Sequence, residues 1–489
     1  MRKIRTLLIA GLVLIAAFAA SSLFPHESKK QGKNVTALSN RMPLAKLSGQ
    51  SGESRLYEIT LPPGASNLHF TTWRDGKGAI DLYIKHGSKP SRKAYDAKST
   101  GKESDKLISI PEPESGKYYV LVDAAHGSYA NHTLSASYSL PGETFKVGIH
   151  SHRLYNGGDW DGPESAEPLF KYALIRDLDI SHLHDAAVWK RDGSIDFPLI
   201  DKIYSAHAKN GAKILKNFGT VPTWASARPD ERNPYYPSWP GGLSGPRDLD
   251  EYEDYIFRFV SHTKKYLWAV EGWNEPFACP GDPPEFGTMT PTRLADIQKR
   301  VYRATKRAAP NMIVFSPPQA YVCGIPTILS ARTSEGEPMW KFFDALSWHP
   351  YNRSARGNAG PSYAKELYEV RQHLEKDGLA NMPIADSEHG WLTAPKEGGK
   401  EFYAMNDVEK AHVLFETGRL AKSLGVIAVI WYSYDSEMIG RPMTSPILSA
   451  GLQQMYEELN SEGKNTSIVR AHRTAERATS TPPDAKEQH

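Results

Sequence analysis

The chain has 489 residues, of which 40% are hydrophobic and 24% are charged, so it is long enough for two domains and is not a single small domain. Its net charge is only +3 and its basic residues are scattered, which argues against a nucleic-acid partner. Cys279 and Cys323 are too few for a zinc cage or a dense disulfide framework, and the sequence is compatible with one bridge between them or with two buried thiols.

Residues 1–24 have the layout of an export signal. Basic side chains at positions 2, 3 and 5 precede an apolar run over 7–20, and Ala17-Phe18-Ala19 offers a cleavage site. We predict a signal peptide, or an N-terminal membrane anchor if the segment is not cleaved, because Leu23 and Phe24 nearly extend the run to spanning length. Both outcomes predict a bacterial protein that is secreted or periplasmic.

Two segments of different character follow. Residues 25–51 are polar and lack periodicity, which predicts a linker. Residues 52–141 alternate short apolar runs with Gly, Pro, Ser and Asp clusters, the pattern of a small antiparallel β-sandwich. Two stretches there, GAIDLYIKHGSKPSRKAYDA and ESGKYYVLVDA, resemble the bacterial pre-peptidase C-terminal domain, which is appended to many secreted hydrolases. Asp75, Asp81 and Asp123 could bind calcium, although aspartate at strand ends more often serves turns.

From 142 to 460 short apolar strands alternate with amphipathic helices that begin at Asp, Thr or Asn caps, the order that builds a parallel sheet. Eight such strands predict an α/β fold, a (β/α)8 TIM barrel preceded by a small all-β sandwich domain. The strands are expected at 145–150, 179–185, 212–218, 267–274, 312–318, 345–351, 382–389 and 426–433. Residues 461–489 are polar and charged, which predicts a disordered tail.

Two glutamates close predicted barrel strands four and seven. The C-terminal ends of barrel strands converge over the mouth, where active sites lie. Glu275, in VEGWNEPF, and Glu388, in IADSEHGW, are therefore expected to face each other there. Cleavage of a glycosidic bond needs such a pair, because one acid protonates the leaving oxygen while another group meets the developing oxocarbenium carbon.

The motifs WNEP at 273–276, SWHPY at 347–351 and SEHGW at 387–391 resemble clan A glycoside hydrolases, nearest to family 39 and its bacterial exopolysaccharide-cleaving members. The resemblance implies a retaining double displacement, with Glu275 as the acid/base, Glu388 as the nucleophile and no cofactor or metal. It puts Asn274 on the sugar 2-hydroxyl. Many clan relatives carry an arginine at the end of strand two, and the predicted strand-two end, HLHDAAVW, lacks it.

Other side chains at strand ends are predicted to contribute to sugar binding. Tyr351 can hydrogen-bond the nucleophile, Trp431 would lie beneath the sugar ring, and His349 either binds the sugar or packs. Several of seven tryptophans are expected to line subsites: Trp189, Trp224, Trp239, Trp273, Trp348, Trp391 and Trp431. Neutral hydrogen-bonding groups are expected around the sugar: His150, His152, His182, His184 and Asp185. The long loop at 222–240 is predicted to be a wall or lid over the sugar chain, with a self-packed surface loop as the alternative.

We therefore predict a monomeric retaining glycoside hydrolase that acts on a polysaccharide or oligosaccharide, with a bacterial exopolysaccharide as a candidate. Burial and the charge of Glu388 are expected to raise the pKa of Glu275. A carbohydrate-binding barrel without turnover is one alternative. The other is a metal-dependent amidohydrolase, suggested by His150, His152 and Asp435, but strand five lacks the histidine that such sites need.

Overall fold

The computed structural model describes residues 35–103, 105–155, 167–178, 188–233, 238–277, 289–351, 359–391, 402 and 404–461. The predicted export signal and the chain beyond position 461 lie outside these residues. So do three side chains of the sequence-based site prediction: His182, His184 and Asp185. Within the described ranges, no helix combines the length and the apolar character needed to cross a bilayer.

In the described part of the chain, nine strands form the N-terminal all-β region. They are β1 Thr36–Ala37, β2 Leu44–Gly49, β3 Ser54–Leu61, β4 Ser66–Lys77, β5 Asp81–His86, β6 Ala97–Ser99, β7 Lys106–Ile110, β8 Gly116–Asp123 and β9 Tyr129–Ser139. One sheet has the order β1-β3-β8-β5-β6 and the other β2-β9-β4-β7. The buried faces of the two sheets share one apolar cluster that includes Leu68, Phe70, Leu82 and Val120, which is the arrangement expected of a sandwich.

Strands β1 and β2 lie in the segment for which the sequence predicted a linker. β2 pairs antiparallel with β9 and buries Leu47 and Gly49. The linker prediction for 25–51 is therefore wrong over 36–49. The strand escaped detection because it is a short edge strand whose alternate residues, Lys46 and Ser48, are exposed.

Eight parallel strands form the second sheet within the described ranges. They are β10 Lys146–His150, β11 Leu174–Asp177, β12 Lys213–Asn217, β13 Leu267–Glu271, β14 Ile313–Phe315, β15 Leu346–Trp348, β16 Ile384–His389 and β17 Val426–Trp431. Their order is β14-β13-β12-β11-β10-β17-β16-β15. Parallel bridges from Phe315 to Ala345 and from Gln319 to Trp348 join the two ends of this sheet. The result is the predicted barrel.

The second barrel strand lies earlier than predicted. β11 covers residues 174–177, whereas the sequence analysis expected a strand at 179–185. The charged residues Arg176 and Asp177 hid this four-residue strand, yet both side chains are fully buried. The corrected second strand therefore contains an arginine, Arg176, next to its last residue, the residue type that the predicted strand-two end lacked.

Seven α-helices lie in the described parts of the chain. They are α1 Phe197–Lys209, α2 Leu249–Thr263, α3 Pro291–Ala308, α4 Ile325–Ser330, α5 Ala359–Lys376, α6 Asp407–Ser423 and α7 Pro446–Leu459. The predicted caps are confirmed: Asp248, Thr290 and Asn406 each accept backbone N–H groups at the start of α2, α3 and α6.

The interior of the barrel is layered. Leu174, Leu215, Ala269, Ala345 and Ala385 belong to one buried apolar cluster. Side chains two positions apart lie on the same face of a strand. The residue two positions after each of these five therefore also points into the barrel, closer to the C-terminal end of its strand. On these five strands the residues at that next position are polar and buried: Arg176, Asn217, Glu271, Ser347 and Ser387.

The sandwich contacts the outer helices of the barrel. The Arg41 guanidinium pairs with Glu143 at 2.7 Å, and its Nε donates to the Ser423 carbonyl at the end of α6 at 2.7 Å. Ser137 of β9 and Ser423 have hydroxyls 2.8 Å apart. Ser461 also pairs with Phe145 by two backbone hydrogen bonds, so the segment predicted as a tail begins with a paired residue.

Candidate active site

Glu275 and Glu388 meet at the C-terminal end of the barrel. Glu275 follows β13 and is 6% exposed, and Glu388 lies in β16 and is 7% exposed. One oxygen of each carboxylate and one ring nitrogen of His349 all lie within 4.8 Å of one another. The two side chains that the sequence singled out therefore share one small space.

The backbone at Glu275 explains how its side chain reaches that space. The residue has a φ of +41°, in the left-handed region. Pro276 follows it, and a proline disfavours the right-handed helical region for the residue before it. The chain therefore turns sharply where β13 ends. Non-glycine residues held in this region are often found at functional sites.

Two donors hold the carboxylate of Glu388. The Tyr351 hydroxyl donates to Oε1, as the sequence analysis predicted, and Arg176 Nη1 donates to Oε2 at 2.6 Å. The guanidinium of Arg176 is completely buried, so its pairing is not weakened by solvent. A charge-assisted bond of this kind fixes the orientation of the carboxylate.

Arg176 also orients Asn274. Its Nη2 donates to Oδ1 of that amide at 2.6 Å. A guanidinium has no acceptor, so the oxygen of Asn274 must face Arg176 and the amide nitrogen must point elsewhere. Asn274 therefore presents an N–H donor away from Arg176, as contact with a sugar hydroxyl would require.

Glu271 is a third carboxylate, which the sequence analysis missed. It is fully buried and accepts hydrogen bonds from Arg176 Nε at 2.8 Å, Asn217 at 2.9 Å and Ser347 at 2.5 Å. Burial works to raise the pKa of Glu271, but Arg176, His349 and the serine hydroxyls together hold it below its ordinary value. Glu271 is thus an ionised group that only accepts hydrogen bonds.

The pKa of Glu275 is raised to about 7. Burial is the main cause of this increase. The positive charge of Arg176 lowers the pKa of Glu275, and the negative charge of Glu271 raises it. The predicted rise in the pKa of Glu275 is confirmed. The negative charge that contributes to the rise is that of Glu271, and not that of Glu388 as predicted. A carboxyl group with this pKa is half protonated near neutral pH.

His349 contacts Glu275. Its Nδ1 lies 2.6 Å from Oε1 of Glu275, and its Nε2 lies 3.0 Å from the hydroxyl of Ser387. Burial lowers the pKa of His349 to about 4, against the opposing effect of Glu388. The ring is therefore neutral above that pH. It is fully buried and both of its nitrogens lie beside protein groups, so the structure does not support the predicted contact of His349 with a sugar.

The geometry does not favour a metal. Among the described residues, Glu275, His349 and Glu388 form the one group close enough to share an ion. Both nitrogens of His349 are already engaged, and the Arg176 cation lies 2.6 Å from Glu388. A second cation would meet that charge at close range.

The residues that suggested an amidohydrolase have other contacts. Asp435 pairs with His152 at 3.1 Å, and the pKa of Asp435 is lowered to about 2 because His152 and Ser433 outweigh the effect of burial. The His150 ring is fully buried, 4.6 Å from the ring of Tyr432. These two histidines contact protein groups at the ends of β10 and β17.

Trp431 and Trp391 do not contact the mouth, which corrects two predicted sugar-binding residues. Trp431 is fully buried, and its indole N–H lies 3.3 Å from the Met455 sulfur in α7, on the helix side of the sheet. Trp391 is 2% exposed and stacks on Phe402. The next residue along β17 faces the other way: Tyr432 is partly exposed and contacts the rings of His150, His152 and Tyr351.

Most of the other tryptophans are also core residues. Trp189, Trp273 and Trp348 are at most 2% exposed. Trp224 and Trp239 are partly exposed and stay candidates for ligand contact. In the loop at 222–240, the Trp239 indole donates to the Val221 carbonyl at 3.1 Å, so the described part of the loop packs on its own base.

The candidate calcium ligands in the sandwich are engaged by basic side chains. Arg92 donates to both oxygens of Asp123 at 2.6 and 2.8 Å, and His126 lies 2.9 Å from Asp81. Cys323 is disulfide-bonded. The other cysteine of the sequence, Cys279, lies outside the described residues.

Five polar residues of the site were not singled out from the sequence: Arg176, Asn217, Glu271, Ser347 and Ser387. The sequence contains a pattern that could have identified these five residues. In each strand the polar residue lies two positions after a Leu or Ala, as in Leu-Ile-Arg, Ala-Val-Glu and Ala-Leu-Ser. Inside a barrel strand this spacing marks a polar layer above an apolar one.

Residues 53–124 match the model of the bacterial pre-peptidase C-terminal domain, which confirms the resemblance predicted for this region. The chain is 27% identical to alkaline serine exoprotease A of Vibrio alginolyticus over 101 residues, which are 21% of this chain and 18% of that protein. It is 33% identical to the neutral protease of Vibrio proteolyticus over 94 residues, which are 19% of this chain and 15% of that protein. The matches thus span less than a fifth of either relative.

Several solved structures are similar to the chain. The family 39 β-xylosidase from Caulobacter crescentus is 18% identical with a TM-score of 0.48, and the match covers 66% of this chain and 73% of that one. The family 39 enzyme from Xanthomonas axonopodis pv. citri is 16% identical with a TM-score of 0.45, covering 60% and 61%. A glucosidase from Croceicoccus marinus is 17% identical with a TM-score of 0.45, covering 65% and 67%.

Proposed function

We propose that this protein is an exported, monomeric glycoside hydrolase that cleaves a polysaccharide or oligosaccharide with retention of configuration. The observation that carries the proposal is the approach of an oxygen of Glu275 to within 4.8 Å of an oxygen of Glu388. Retaining enzymes hold their two carboxyl groups about 5–5.5 Å apart, whereas inverting enzymes need about 6.5–9.5 Å to admit a water. The short separation supports retention.

The two carboxylates differ in the way that a double displacement requires. In the first step an oxygen of Glu388 would bond to the anomeric carbon as the bond from that carbon to the leaving oxygen breaks. Glu275 would give its proton to that oxygen, and its pKa of about 7 supports this role as acid. In the second step Glu275 would take a proton from water as the water oxygen attacks the same carbon and releases Glu388.

Neighbouring groups support the same assignment. Arg176 and Tyr351 both donate to Glu388 and fix its orientation for attack. The amide nitrogen of Asn274 points away from Arg176 and can donate to a sugar hydroxyl, a bond that strengthens as charge develops. Tyr432 is the aromatic side chain at this end of the barrel that we propose in place of Trp431.

The assignment is tested by Glu388→Ala. We expect no turnover in this variant, partial rescue by azide, and a glycosyl azide of inverted configuration, because azide would attack from the face that the nucleophile vacated. Glu437→Gln is the matched control, since that carboxylate is exposed beyond β17; it should retain activity. A rescued product of retained configuration would refute Glu388 as the nucleophile.

Glu275→Ala tests the acid/base role. General acid catalysis contributes about 10²–10⁴-fold to the rate, and its loss should fall mainly on substrates with poor leaving groups. Activated aryl glycosides should therefore be cleaved far better than natural glycosides by this variant. An equal loss for both substrate classes would refute the assignment.

The substrate is proposed more broadly, as a neutral or mixed-charge glycan, with a bacterial exopolysaccharide as the first candidate. The parent protein can be incubated with a panel of bacterial exopolysaccharides and plant glycans, and released reducing ends measured. Binding of a glycan without release by the parent, and equally by Glu275→Gln, would favour a carbohydrate-binding protein instead.

A further inference from the structure

A continuous row of hydrogen bonds connects Glu275 with Glu271 through the barrel interior. Glu275 Oε1 lies 2.6 Å from His349 Nδ1, and His349 Nε2 lies 3.0 Å from the Ser387 hydroxyl. That hydroxyl lies 2.6 Å from the Ser347 hydroxyl, which donates to Glu271 Oε1 at 2.5 Å. All five side chains are at least nine-tenths buried, and we call this row the relay.

We propose that Glu271 is a positioning residue that, through the relay, fixes the tautomer of His349 and thereby keeps Glu275 in its acid form. The inference deepens the proposed function and rests on it for its catalytic meaning. It concerns where the hydrogen atoms lie, which the donor and acceptor capacity of each group determines.

The direction of the relay is set at its Glu271 end. Glu271 is ionised and only accepts, so the hydrogen between it and Ser347 belongs to Ser347. Two hydroxyl oxygens 2.6 Å apart need a hydrogen between them, and Ser347 has used its own, so Ser387 must donate. The Ser387 oxygen can then only accept from His349, which places the His349 hydrogen on Nε2.

This tautomer of His349 determines whether Glu275 carries a proton. A neutral imidazole with its hydrogen on Nε2 has a bare lone pair on Nδ1. An ionised carboxylate 2.6 Å from that lone pair would leave two acceptors facing each other, so the hydrogen between them must belong to Glu275. Once Glu275 has given up its proton, the same repulsion makes it a stronger base toward water in the second step.

Charged or titratable side chains on or just after four strands face Glu275 and His349. Arg176 on β11 favours ionised Glu275, whereas Glu271 on β13 disfavours it. Glu388 and Asp386 on β16 act on His349, and Tyr351 after β15 is affected by Glu275 and donates to Glu388. The pH dependence of Glu275 therefore reflects this set together with the relay, and a test must separate the two.

Ser387→Ala breaks the relay and leaves every charge in place. His349 can then move its hydrogen to Nδ1 and donate to ionised Glu275, which favours the ionised form. We expect the high-pH limb of the kcat/KM profile to shift down by about one pH unit. Ser387→Thr keeps a hydroxyl and should return the high-pH limb to its position in the parent protein.

Ser316→Ala is the matched control. Ser316 is fully buried beside Ser347 and accepts from its backbone N–H at 2.9 Å, but its hydroxyl is not part of the relay. A limb that shifts equally in Ser316→Ala and Ser387→Ala would mean that packing alone is responsible. A limb that stays fixed in Ser387→Ala would overturn the relay while leaving the glycosidase proposal intact.

Glu271→Gln tests the end of the relay. Arg176 and Asn217 both donate to Oε2, so the glutamine oxygen should take that position and its NH2 should face Ser347. The end that accepted would then donate, and the relay would reverse. The limb should move further down than in Ser387→Ala, because the charge of Glu271 is lost as well. A limb unchanged from the parent would refute the positioning role.

A measurement without substrate keeps the relay separate from the proposed activity. In protein labelled with ¹⁵N-histidine, the His349 signals can be assigned by their loss in His349→Gln. Near neutral pH we expect Nε2 to resonate as a protonated nitrogen and Nδ1 as an unprotonated one, with the pattern reversed or mixed in Ser387→Ala. The opposite pattern in the parent would overturn the relay even if no glycan is ever cleaved.

Discussion

Arg176 connects three other polar side chains of the site. Its guanidinium contacts Glu271, Glu388 and Asn274 at 2.6 to 2.8 Å and is fully buried. A buried charge is tolerated when it is paired, and removing one partner leaves the other uncompensated. The catalytic geometry therefore depends on a residue that would not itself touch the anomeric carbon.

We expect Arg176→Met to destabilise the protein by about 3–5 kcal/mol, because it leaves the carboxylates of Glu271 and Glu388 buried without their cation. The free energy of unfolding in denaturant measures this. Arg371→Met is the control: Arg371 is partly buried, with its pKa lowered to about 10 by burial, but it donates to the Met382 carbonyl rather than to a carboxylate. A loss in Arg176→Met no larger than in the control would contradict the pairing argument.

The raised pKa of Glu275 predicts a dependence of stability on pH. The folded state keeps the proton up to about pH 7, whereas the unfolded state releases it near 4.5. This contribution to stability is complete below pH 4.5 and is lost as pH rises through 7, by about 3 kcal/mol at most. Glu275→Gln has no proton to lose, so its melting temperature should rise relative to the parent between pH 5 and 8. A constant difference over that range would contradict the assignment.

Among the secondary-structure elements, helix α6 begins at a residue that the local sequence determines. Asn406 accepts from the Glu409 backbone N–H at 3.0 Å, and the Glu409 side chain accepts from the Asn406 backbone N–H at 3.1 Å. The two bonds form a capping box. They satisfy donors that the first turn of a helix leaves without partners, and so they fix where α6 begins.

Asn406→Ala should lower the free energy of unfolding by about 1 kcal/mol, because one of those donors loses its acceptor. Asn406→Ser keeps a side-chain oxygen at the same position and should cost little. Denaturant unfolding of both variants measures the difference. Equal losses would mean that the amide contributes by packing instead of by capping.

At the scale of the molecule, the sandwich and barrel share polar and aromatic contacts. Arg41 pairs with Glu143 and donates to the Ser423 carbonyl, and the rings of Trp73 in β4 and Tyr368 in α5 lie 5.9 Å apart. Lys365 of α5 pairs with Asp75 of β4 at 2.8 Å. These contacts favour a structural role for the sandwich over that of a freely tethered module.

We expect Arg41→Ala to lower the melting temperature of the whole chain and to broaden or split its thermal transition, because the contacts of Arg41 with Glu143 and the end of α6 are lost. Differential scanning calorimetry measures both effects. Arg74→Ala is the control, since Arg74 is exposed on β4. Two separate transitions already present in the parent would contradict the structural role.

The sequence determined the features that local physics controls. Strand and helix periodicity gave the barrel, cap residues gave the starts of α2, α3 and α6, and the ends of β13 and β16 gave Glu275 and Glu388. It failed where a local pattern was short or polar, as in β2 and β11. The predicted contact of Trp431 with the sugar was also wrong. A residue at a strand end can point to either face of the sheet, and the face determines whether its side chain meets a ligand or packs in the core.

Local sequence is enough to predict that Glu275 and Glu388 lie at the ends of the fourth and seventh barrel strands, because period-two alternation and turn chemistry are properties of a few consecutive residues. Their surroundings depend on tertiary contacts: Arg176 lies beside Glu388, and the buried charge of Glu271 and the neutral ring of His349 act on Glu275. The physical reason is that burial and the direction of hydrogen bonds depend on side chains from different strands, which are brought together only when the barrel closes.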